Sequence, residues 1–295
     1  MNVQLLNKFM KFTKILFFLL FLSSGVTFAQ DDLLNELDSA NSNKKEIEIA
    51  AFKGMQICNM QSTKLAAKGE WYFVVSHRFG DLTNGLDNFF GLDNAYTKLG
   101  GLYGATNWLT LGASRHTYNK TYELTAKYKL MNQEVNGFPV TIVGFNSMDI
   151  NTLLSKDLYP GLSGSNRLAY TSQLLVSRKF SNSLSLEVNP VWVHKNLYDI
   201  TTEKRDQFLL AAGGRYKVSK RISLNMEYAA RISQPDVKTF QNPLTVGMDI
   251  ETGGHVFQLV FSNSQAMNEV AYFTNASGKW DDKGIFFGFN MYRVF

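Results

Sequence analysis

The chain has 295 residues, enough for one large domain or two small ones, and 45% of them are hydrophobic. This ordinary apolar content excludes both a disordered chain and a bundle of membrane helices. The formal charge of +5 overstates the basic character, because three of those charges are lysines that precede the first acidic residue, Asp31. No stretch concentrates Lys and Arg as a phosphate backbone would require, so nucleic acid is not expected as a partner.

Residues 1–29 show the three parts of an export signal. Their positive region holds three lysines, an apolar run covers 15–22, and Thr27-Phe28-Ala29 places small residues one and three positions before a cut that precedes Gln30. The apolar run is shorter than the roughly 20 residues that a membrane-spanning helix needs. We therefore predict a cleaved signal peptide rather than a retained membrane anchor.

Residues 30–69 lack the pattern of a strand. The polar and charged residues 31–49 are typical of a segment that faces the periplasm. Residues 50–69 fit a short hairpin, a plug folded into the lumen of a barrel, or a linker, and the sequence does not choose among these. The only cysteine, Cys58, lies here and has no partner for an internal disulfide.

From residue 70 to residue 295, side-chain polarity alternates with a period of two. The clearest segment is 121–130, where Leu, Ala and Tyr occupy one face and Thr, Glu and Lys the other, and 184–195 and 222–231 repeat it. Such alternation over about ten residues is typical of a membrane barrel, whereas strands of a soluble sandwich run to five or six. Pro190 favours an edge position or a bulge.

Reading the whole region in this way predicts twelve strands, an even number, as single-chain bacterial barrels usually have. The strands cover 70–79, 94–103, 108–117, 121–130, 140–151, 167–178, 184–195, 206–216, 222–232, 244–251, 255–262 and 285–295. With the N-terminus and C-terminus in the periplasm, the long connections lie outside; they are 80–93, 152–166, 196–205, 233–243 and 263–284. The sequence therefore predicts an all-β, antiparallel transmembrane β-barrel of the outer membrane.

The last predicted strand ends in an aromatic residue. Phe287, Phe289 and Met291 share one face with the terminal Phe295, whereas Arg293 interrupts the apolar series. An alternating last strand of this kind resembles the signal that the barrel assembly machinery recognises. We therefore expect that machinery and outer-membrane lipid as partners, and the sequence indicates no oligomeric state.

The chain after the signal resembles an uncharacterised family of outer-membrane barrels from Bacteroidetes-type bacteria. The stretches that carry the resemblance are His77-Arg78-Phe79-Gly80, Phe90-Gly91-Leu92-Asp93-Asn94-Ala95, Tyr118-Asn119-Lys120-Thr121-Tyr122, Glu251-Thr252-Gly253-Gly254-His255-Val256-Phe257, Phe261-Ser262-Asn263-Ser264-Gln265 and Arg293-Val294-Phe295. The resemblance implies the fold and the location. It implies no catalytic residue.

Few residues offer chemistry. Ser114 and His116 share the lumen face of one strand, but their order is the reverse of that in outer-membrane phospholipases, and no third partner is evident. Asp81, Asp87 and Asp93 recur every six residues without a known calcium-binding spacing. The other three histidines are scattered, with no two-histidine metal spacing. We therefore predict no enzymatic activity, no metal and no cofactor.

The charges assigned to the lumen are nearly balanced. The basic ones are Arg78, Lys98, Lys127, Lys129, Lys195, Arg215 and Arg231, and the acidic ones are Glu70, Glu123, Glu187, Glu227 and Asp249. A strongly selective pore would show a larger excess of one sign. We therefore expect ion-paired ladders that partly fill the lumen, and a narrow channel with a weak preference for anions.

The sequence thus favours a passive pore or a structural envelope protein. Two alternatives stay open: a barrel-embedded hydrolase that acts on lipid or peptide, and a barrel that binds a ligand or partner through its external loops.

Overall fold

The computed structural model describes residues 47–48, 50–232, 239–252, 255–282 and 284–295, apart from the side chains of residues 83 and 84. The predicted signal peptide lies outside the described residues.

Twelve strands form one closed antiparallel barrel in which each strand pairs with the next along the chain and β12 pairs with β1. The strands are β1 (Trp71–Asp81), β2 (Tyr96–Gly104), β3 (Leu109–His116), β4 (Thr121–Met131), β5 (Thr141–Asn151), β6 (Leu168–Lys179), β7 (Leu184–Lys195), β8 (Asp206–Lys217), β9 (Ile222–Arg231), β10 (Leu244–Thr252), β11 (His255–Ser262) and β12 (Phe286–Val294). Every predicted strand is present, with each bound within two residues. The predicted fold class is confirmed.

The alternation of polarity decides which side chains face the lumen. In β9, Asn225 and Glu227 are 5% and 1% exposed, whereas Leu224 and Met226 are 51% and 56% exposed on the outer face. Hydrocarbon offers no hydrogen bond to an exposed N–H or C=O, so a sheet survives there only when its two edges meet. The pairing of β1 with β12, in which Tyr72 lies opposite Val294, closes the barrel.

Pro190 lies inside β7, between β6 and β8, and the expected edge position or bulge is wrong. The register of β6 against β7 is the same on both sides of this level, with Gln173 opposite Val191 and Val176 opposite Val188. On the β8 side, Pro190 stays in register with Leu210. Because proline has no N–H to donate, the ladder is interrupted locally on the β6 side without a shift of the strand.

The described helical elements all lie in connections between strands. One short α-helix, α1 (Glu269–Thr274), lies between β11 and β12. Short 3-10 segments cover Leu82–Asn88, which is kinked at Gly85, and Leu92–Asn94, Tyr118–Lys120 and Ser165–Arg167. Within the described residues, no helix combines the length and the apolar character needed to cross a membrane.

The two ends of the barrel differ. We call the end where β1 begins and β12 ends the terminal rim, and the opposite end the loop rim. The connections at the terminal rim are short, whereas those at the loop rim include 152–167 and 263–285. The prediction that 263–284 lies outside is wrong for its first part, because every residue of α1 is buried in the lumen.

A charge on the outer face tests the assignment of the two faces. Leu174 lies near the middle of β6 and is exposed on the outer face. We expect Leu174→Arg to lower the free energy of unfolding in lipid vesicles by about 2–4 kcal/mol, because hydrocarbon does not solvate the guanidinium. Urea titration of the vesicle-inserted protein measures the change. Thr201→Arg, at an exposed position between β7 and β8, is the control and should have no effect; equal stability of both variants would contradict the assignment.

Candidate functional site

Residues 50–69, here called the plug, lie inside the barrel. Phe52, Met55, Ile57 and Met60 are almost fully buried. A tight turn at residues 57–60 organises the segment: the Ile57 N–H donates to the Met60 carbonyl at 2.8 Å, and an isolated antiparallel bridge joins Gln56 to Gln61. The plug therefore combines a hairpin turn with a place in the lumen.

A single wall carboxylate holds this turn. Glu227 of β9 accepts hydrogen bonds from the backbone N–H groups of Cys58, Asn59 and Met60, at 3.0, 2.8 and 3.0 Å. The hydroxyl of Tyr272 in α1 donates to the same carboxylate at 2.9 Å. These four hydrogen bonds offset the free-energy cost of burying the carboxylate, because hydrogen bonds to a charged group are stronger than those between neutral groups.

Basic wall residues hold the carbonyl groups of the plug. The Lys127 ammonium donates to the carbonyls of Met55, Ser62 and Lys64 at 2.9, 2.9 and 3.2 Å. These three bonds use every proton of the ammonium. Lys127 therefore pairs with the plug backbone rather than with a carboxylate.

Two further wall charges reach the plug. The Arg78 guanidinium donates to the side-chain oxygen of Asn59 at 2.7 Å. On the opposite side of the lumen, the Thr63 N–H donates to Glu187 at 3.0 Å. The plug is thus attached to the wall through both its backbone and its side chains.

Amide side chains of the wall complete the attachment. Asn225 and Gln258 donate to the Ile57 carbonyl at 3.0 and 2.9 Å, and Asn290 donates to the Cys58 carbonyl at 2.7 Å. A buried backbone carbonyl needs such a partner, because leaving it unpaired costs about 1–3 kcal/mol.

The plug continues into β1 through a close backbone contact with β2. The Gly69 N–H donates to the Gly104 carbonyl at 2.8 Å, and the Gly104 N–H donates to the Glu70 carbonyl at 3.0 Å. A Cβ atom at Gly104 would lie 1.9 Å from the Ala67 carbonyl oxygen. Glycine is therefore required where the chain leaves the lumen.

The second segment that fills the lumen is α1 with the residues that precede it. The Glu269 N–H donates to Glu123 at 2.8 Å, and the Glu269 carboxylate accepts from Gln61 of the plug and Gln173 of β6, both at 2.6 Å. Burial raises the pKa of Glu269, and the Glu123 carboxylate raises it further. Arg231 donates to the Thr274 carbonyl at 2.8 Å and so holds the other end of α1. The plug, α1 and the wall form one bonded unit.

The predicted lumen charges fall into two groups by burial. Arg78, Lys98, Glu123, Lys127, Glu187, Lys195, Arg215, Glu227 and Asp249 are buried. Glu70, Lys129 and Arg231 are half-buried, and Glu70 lies just before β1.

Some of these charges pair with each other, as expected of ladders. Lys98 bonds Glu123 at 3.0 Å, and Arg215 pairs with Glu251. Glu227 and Lys127 instead bond the plug, which the sequence does not indicate. Two features of the sequence could have indicated a filled lumen. Residues 50–69 contain many apolar residues that do not alternate regularly with polar ones. The apolar stretch Val-Ala-Tyr-Phe of α1 lies in a connection that was assigned to the exterior.

Ser114 and His116 do meet a third polar residue, Glu123 of the neighbouring strand. The Ser114 hydroxyl lies 2.9 Å from His116 Nε2 and donates to Glu123 Oε2 at 3.0 Å, and that carboxylate oxygen lies 3.2 Å from the same Nε2. His116 Nδ1 has no partner among the described residues. A catalytic base needs the nucleophile and the orienting carboxylate on different ring nitrogens, so this arrangement is not a triad.

Little space remains beside Ser114. The cavity between the plug and β2–β4, lined by Ser114, Lys98 and Gln61 among others, has a volume of about 30 Å³. A cavity needs about 10–15 Å³ of such space to hold one water molecule, so there is room for only a few. No lipid or peptide fits there while the plug is in place.

The residues of the predicted assembly signal lie on β12 and just after it. Phe287, Phe289 and Met291 alternate with buried residues of the strand. Phe295 is exposed at the terminal rim, with the Arg293 guanidinium 4.7 Å from its ring centroid. This contact accounts for an arginine in an otherwise apolar series. Recognition by the assembly machinery stays a prediction.

Removing the carboxylate of Glu227 tests its hold on the plug. We expect Glu227→Ala to speed hydrogen exchange of the Cys58, Asn59 and Met60 amides by at least about tenfold, because three buried donors lose their acceptor. Glu227→Gln retains one oxygen acceptor and should have a smaller effect. Asp157→Ala, at an exposed position between β5 and β6, is the control. Unchanged exchange in Glu227→Ala would show that other contacts hold the turn.

Cys58 reports on the plug directly, since it is the only cysteine of the chain and is fully buried. Burial raises the pKa of its thiol, and the nearby Glu227 carboxylate raises it further, so little thiolate forms at neutral pH. We expect maleimide to modify Cys58 at least about a hundredfold more slowly in the folded protein than in urea. Mass spectrometry measures the rate. Equal rates in both conditions would contradict a buried plug.

Solved structures with a similar strand arrangement include porins and a channel. The NanC porin is 8% identical, with 76% of this chain and 98% of that chain covered and a TM-score of 0.48. The KdgM porin is 11% identical over 77% and 99% of the two chains, with a TM-score of 0.45. An outer-membrane channel from Pseudomonas putida F1 is 15% identical over 79% and 97%, with a TM-score of 0.44.

No curated protein matches the chain. One protein family does, and it is described as a membrane bound beta barrel domain (DUF5777). The match covers residues 52–295, so it includes all but the first two residues of the plug as well as all twelve strands. The chain belongs to this family of membrane-bound β-barrels.

Proposed function

We propose that the protein is an outer-membrane barrel that is closed at rest and acts as an envelope component through the surface at its loop rim. The observation that carries the proposal is the filled lumen. There the Glu227 carboxylate alone accepts hydrogen bonds from three backbone N–H groups of the plug and from the Tyr272 hydroxyl of α1. Of the two roles that the sequence favours, the structural envelope role suits this state. A passive pore would require the plug to leave.

The proposed orientation places the terminal rim in the periplasm and the longer connections outside the cell. It is supported by the short turns at the terminal rim, as is usual in bacterial barrels. Outer-membrane lipid then contacts the apolar outer face, and the barrel assembly machinery reads the last strand.

The hydrolase alternative has little support. Ser114 and Glu123 share one nitrogen of His116, and the cavity beside them has room for only a few water molecules. Binding through the loop rim is compatible with a closed lumen.

Conductance in planar bilayers tests the closed state. We expect the full chain to show no step-like conductance in KCl, because the plug and α1 occupy the lumen. A variant that lacks residues 51–66 should form steps, because the wall charges that held the plug then face water. Circular dichroism and heat-modifiable gel mobility establish that the deletion variant still forms a barrel. Steps of equal size in both proteins would contradict the proposal.

The selectivity of the deletion variant tests the charge census. The predicted lumen set has seven basic and five acidic residues, and the structure adds the buried carboxylates of Asp149 and Glu269, so the two signs balance. The reversal potential in a KCl gradient should therefore stay near zero. The variant Lys127→Gln, made in the same deletion background, should shift it towards a weak preference for potassium. Marked selectivity of the deletion variant for either ion would contradict the assigned lumen face.

A further inference from the structure

A cavity of about 480 Å³ lies at the loop rim, above α1. Its walls come from the rim ends of β4 to β7 and from the connections β5–β6 and β7–β8, and its floor includes Asn268, Val270 and Ala271. We call this cavity the vestibule. Its volume falls within the range of about 300–1,000 Å³ that is usual for small-molecule sites.

The vestibule deepens from an exposed mouth to a buried floor. Tyr159 and Asp199 at the mouth are exposed, and Tyr159 is 46% exposed. Asp149 and Asn268 on the floor are each only 4% exposed. A ligand that entered from the loop rim would therefore lose its water progressively.

Two oxygen atoms on the floor lack a donor. The Asn268 amide donates to Asp149 Oδ2 at 2.6 Å, which leaves Asp149 Oδ1 and Asn268 Oδ1 without a hydrogen-bond partner among the described residues. Each such buried acceptor costs about 1–3 kcal/mol when it is unpaired. Both residues line the vestibule, so small shifts of their side chains would present these two acceptors to a molecule that supplies two donors.

Further unpaired polar atoms lie next to the floor, on the lumen face of β5 and β6. They are Ser147 Oγ, Thr171 Oγ1 and Gln173 Oε1. Ser147 and Thr171 lie opposite each other, two residues further along their strands from the pair Asp149 and Ala169. With Asp149 Oδ1 and Asn268 Oδ1, five of the twelve unpaired buried polar atoms of the described residues therefore lie at or next to the floor of the vestibule.

The charges of the vestibule nearly cancel. Asp149, Asp199 and Glu203 face it together with Arg167 and Lys195. Lys195 is engaged, because its ammonium bonds Glu203 and the side-chain oxygen of Asn275. The Arg167 guanidinium donates to the Asn151 carbonyl at 3.3 Å and lines the same cavity as three acidic residues. This balance of charges favours a ligand without net charge.

The remaining lining is rich in groups that both donate and accept. Asn119, Asn151, Asn166 and Asn275 present amides, and Thr121 presents a hydroxyl. Carbohydrate hydroxyls also donate and accept, so they match amides better than a purely cationic or anionic group does. Aromatic rings at the mouth offer an apolar face to a sugar ring.

We infer that the vestibule binds a neutral, hydroxyl-rich ligand of the size of a mono- or disaccharide. The hydroxyls of the ligand donate to Asp149 Oδ1 and Asn268 Oδ1, and Tyr159 covers the ring at the mouth. This inference goes beyond the closed-barrel proposal, since the vestibule lies above α1 whether or not the plug can leave.

Calorimetric titration of the full chain in detergent tests the site, with glucose, N-acetylglucosamine, maltose and chitobiose as probes and glycylglycine as a zwitterionic comparison. We expect at least one saccharide to bind. Asp149→Asn should weaken that binding by at least about tenfold, because it replaces one carboxyl oxygen with an amide NH2 group, which donates instead of accepting. Tyr159→Ala changes an exposed side chain outside the strands and should weaken saccharide binding severalfold. This variant provides the test if Asp149→Asn does not fold. Asp281→Asn, an exposed control outside the vestibule, should bind as the unmodified chain does.

Three outcomes would overturn the inference. The first is that no saccharide binds the unmodified chain at up to about 10 mM. The second is saccharide binding that both Asp149→Asn and Tyr159→Ala leave unchanged, which would place the site elsewhere. The third is binding of glycylglycine alone, which would assign the vestibule to a zwitterion. None of these results depends on conductance, so failure here is distinguishable from failure of the closed-barrel proposal.

Discussion

The structure depends on the requirement that no backbone hydrogen-bonding group remain unpaired in hydrocarbon. The ladder between β1 and β12 meets that requirement, because it joins the first and last strands and leaves the sheet without an edge. Proline is tolerated in the ladder between β6 and β7, since Pro190 removes one donor while the register on both sides is kept. Closure also creates a separate interior, and most of the remaining features concern how that interior is filled.

Filling the interior with charged side chains is costly unless each charge finds a partner. This barrel supplies many of the partners from its own backbone. Glu227 and Lys127 have opposite charges and lie on two sides of the wall. Glu227 accepts hydrogen bonds from N–H groups of the turn, and Lys127 donates to the carbonyls of Met55 and Ser62, which flank it. The turn is therefore held by charge-assisted hydrogen bonds, which are stronger than neutral ones. The polar wall, the plug and α1 stabilise each other, because the buried polar groups of each part find hydrogen-bond partners in the others.

The sequence predicts the barrel well because its signal is local. Each strand shows its own two-residue period, so all twelve strands and their order follow without knowledge of distant contacts. Residues 50–69 and α1 have no such period. Their place is set by contacts such as Gln61 with Glu269, which are 208 positions apart in the chain. The partner of Ser114 and His116 was missed for a related reason, because only the register of β3 against β4 places Glu123 opposite Ser114.

The vestibule shows a similar limit. The aspartate and asparagine of its floor come from β5 and from the residue before α1, and no spacing in the chain connects them. Exposed polar residues in long connections are common, so their number alone indicates nothing. What distinguishes this group is the combination of burial and missing donors, which only the folded chain reveals.

The position of the two filling segments in the chain has a consequence for how the molecule is made. The plug leads directly into β1, and α1 is followed by β12, so the two strands that seal the cylinder are the ones tethered to its contents. The segment carrying α1 is fixed at both ends and can enter only as a loop pushed in from one side. Insertion of the two segments and closure of the barrel are therefore geometrically coupled steps of assembly. A barrel that closed while empty would have to admit the two segments from opposite ends.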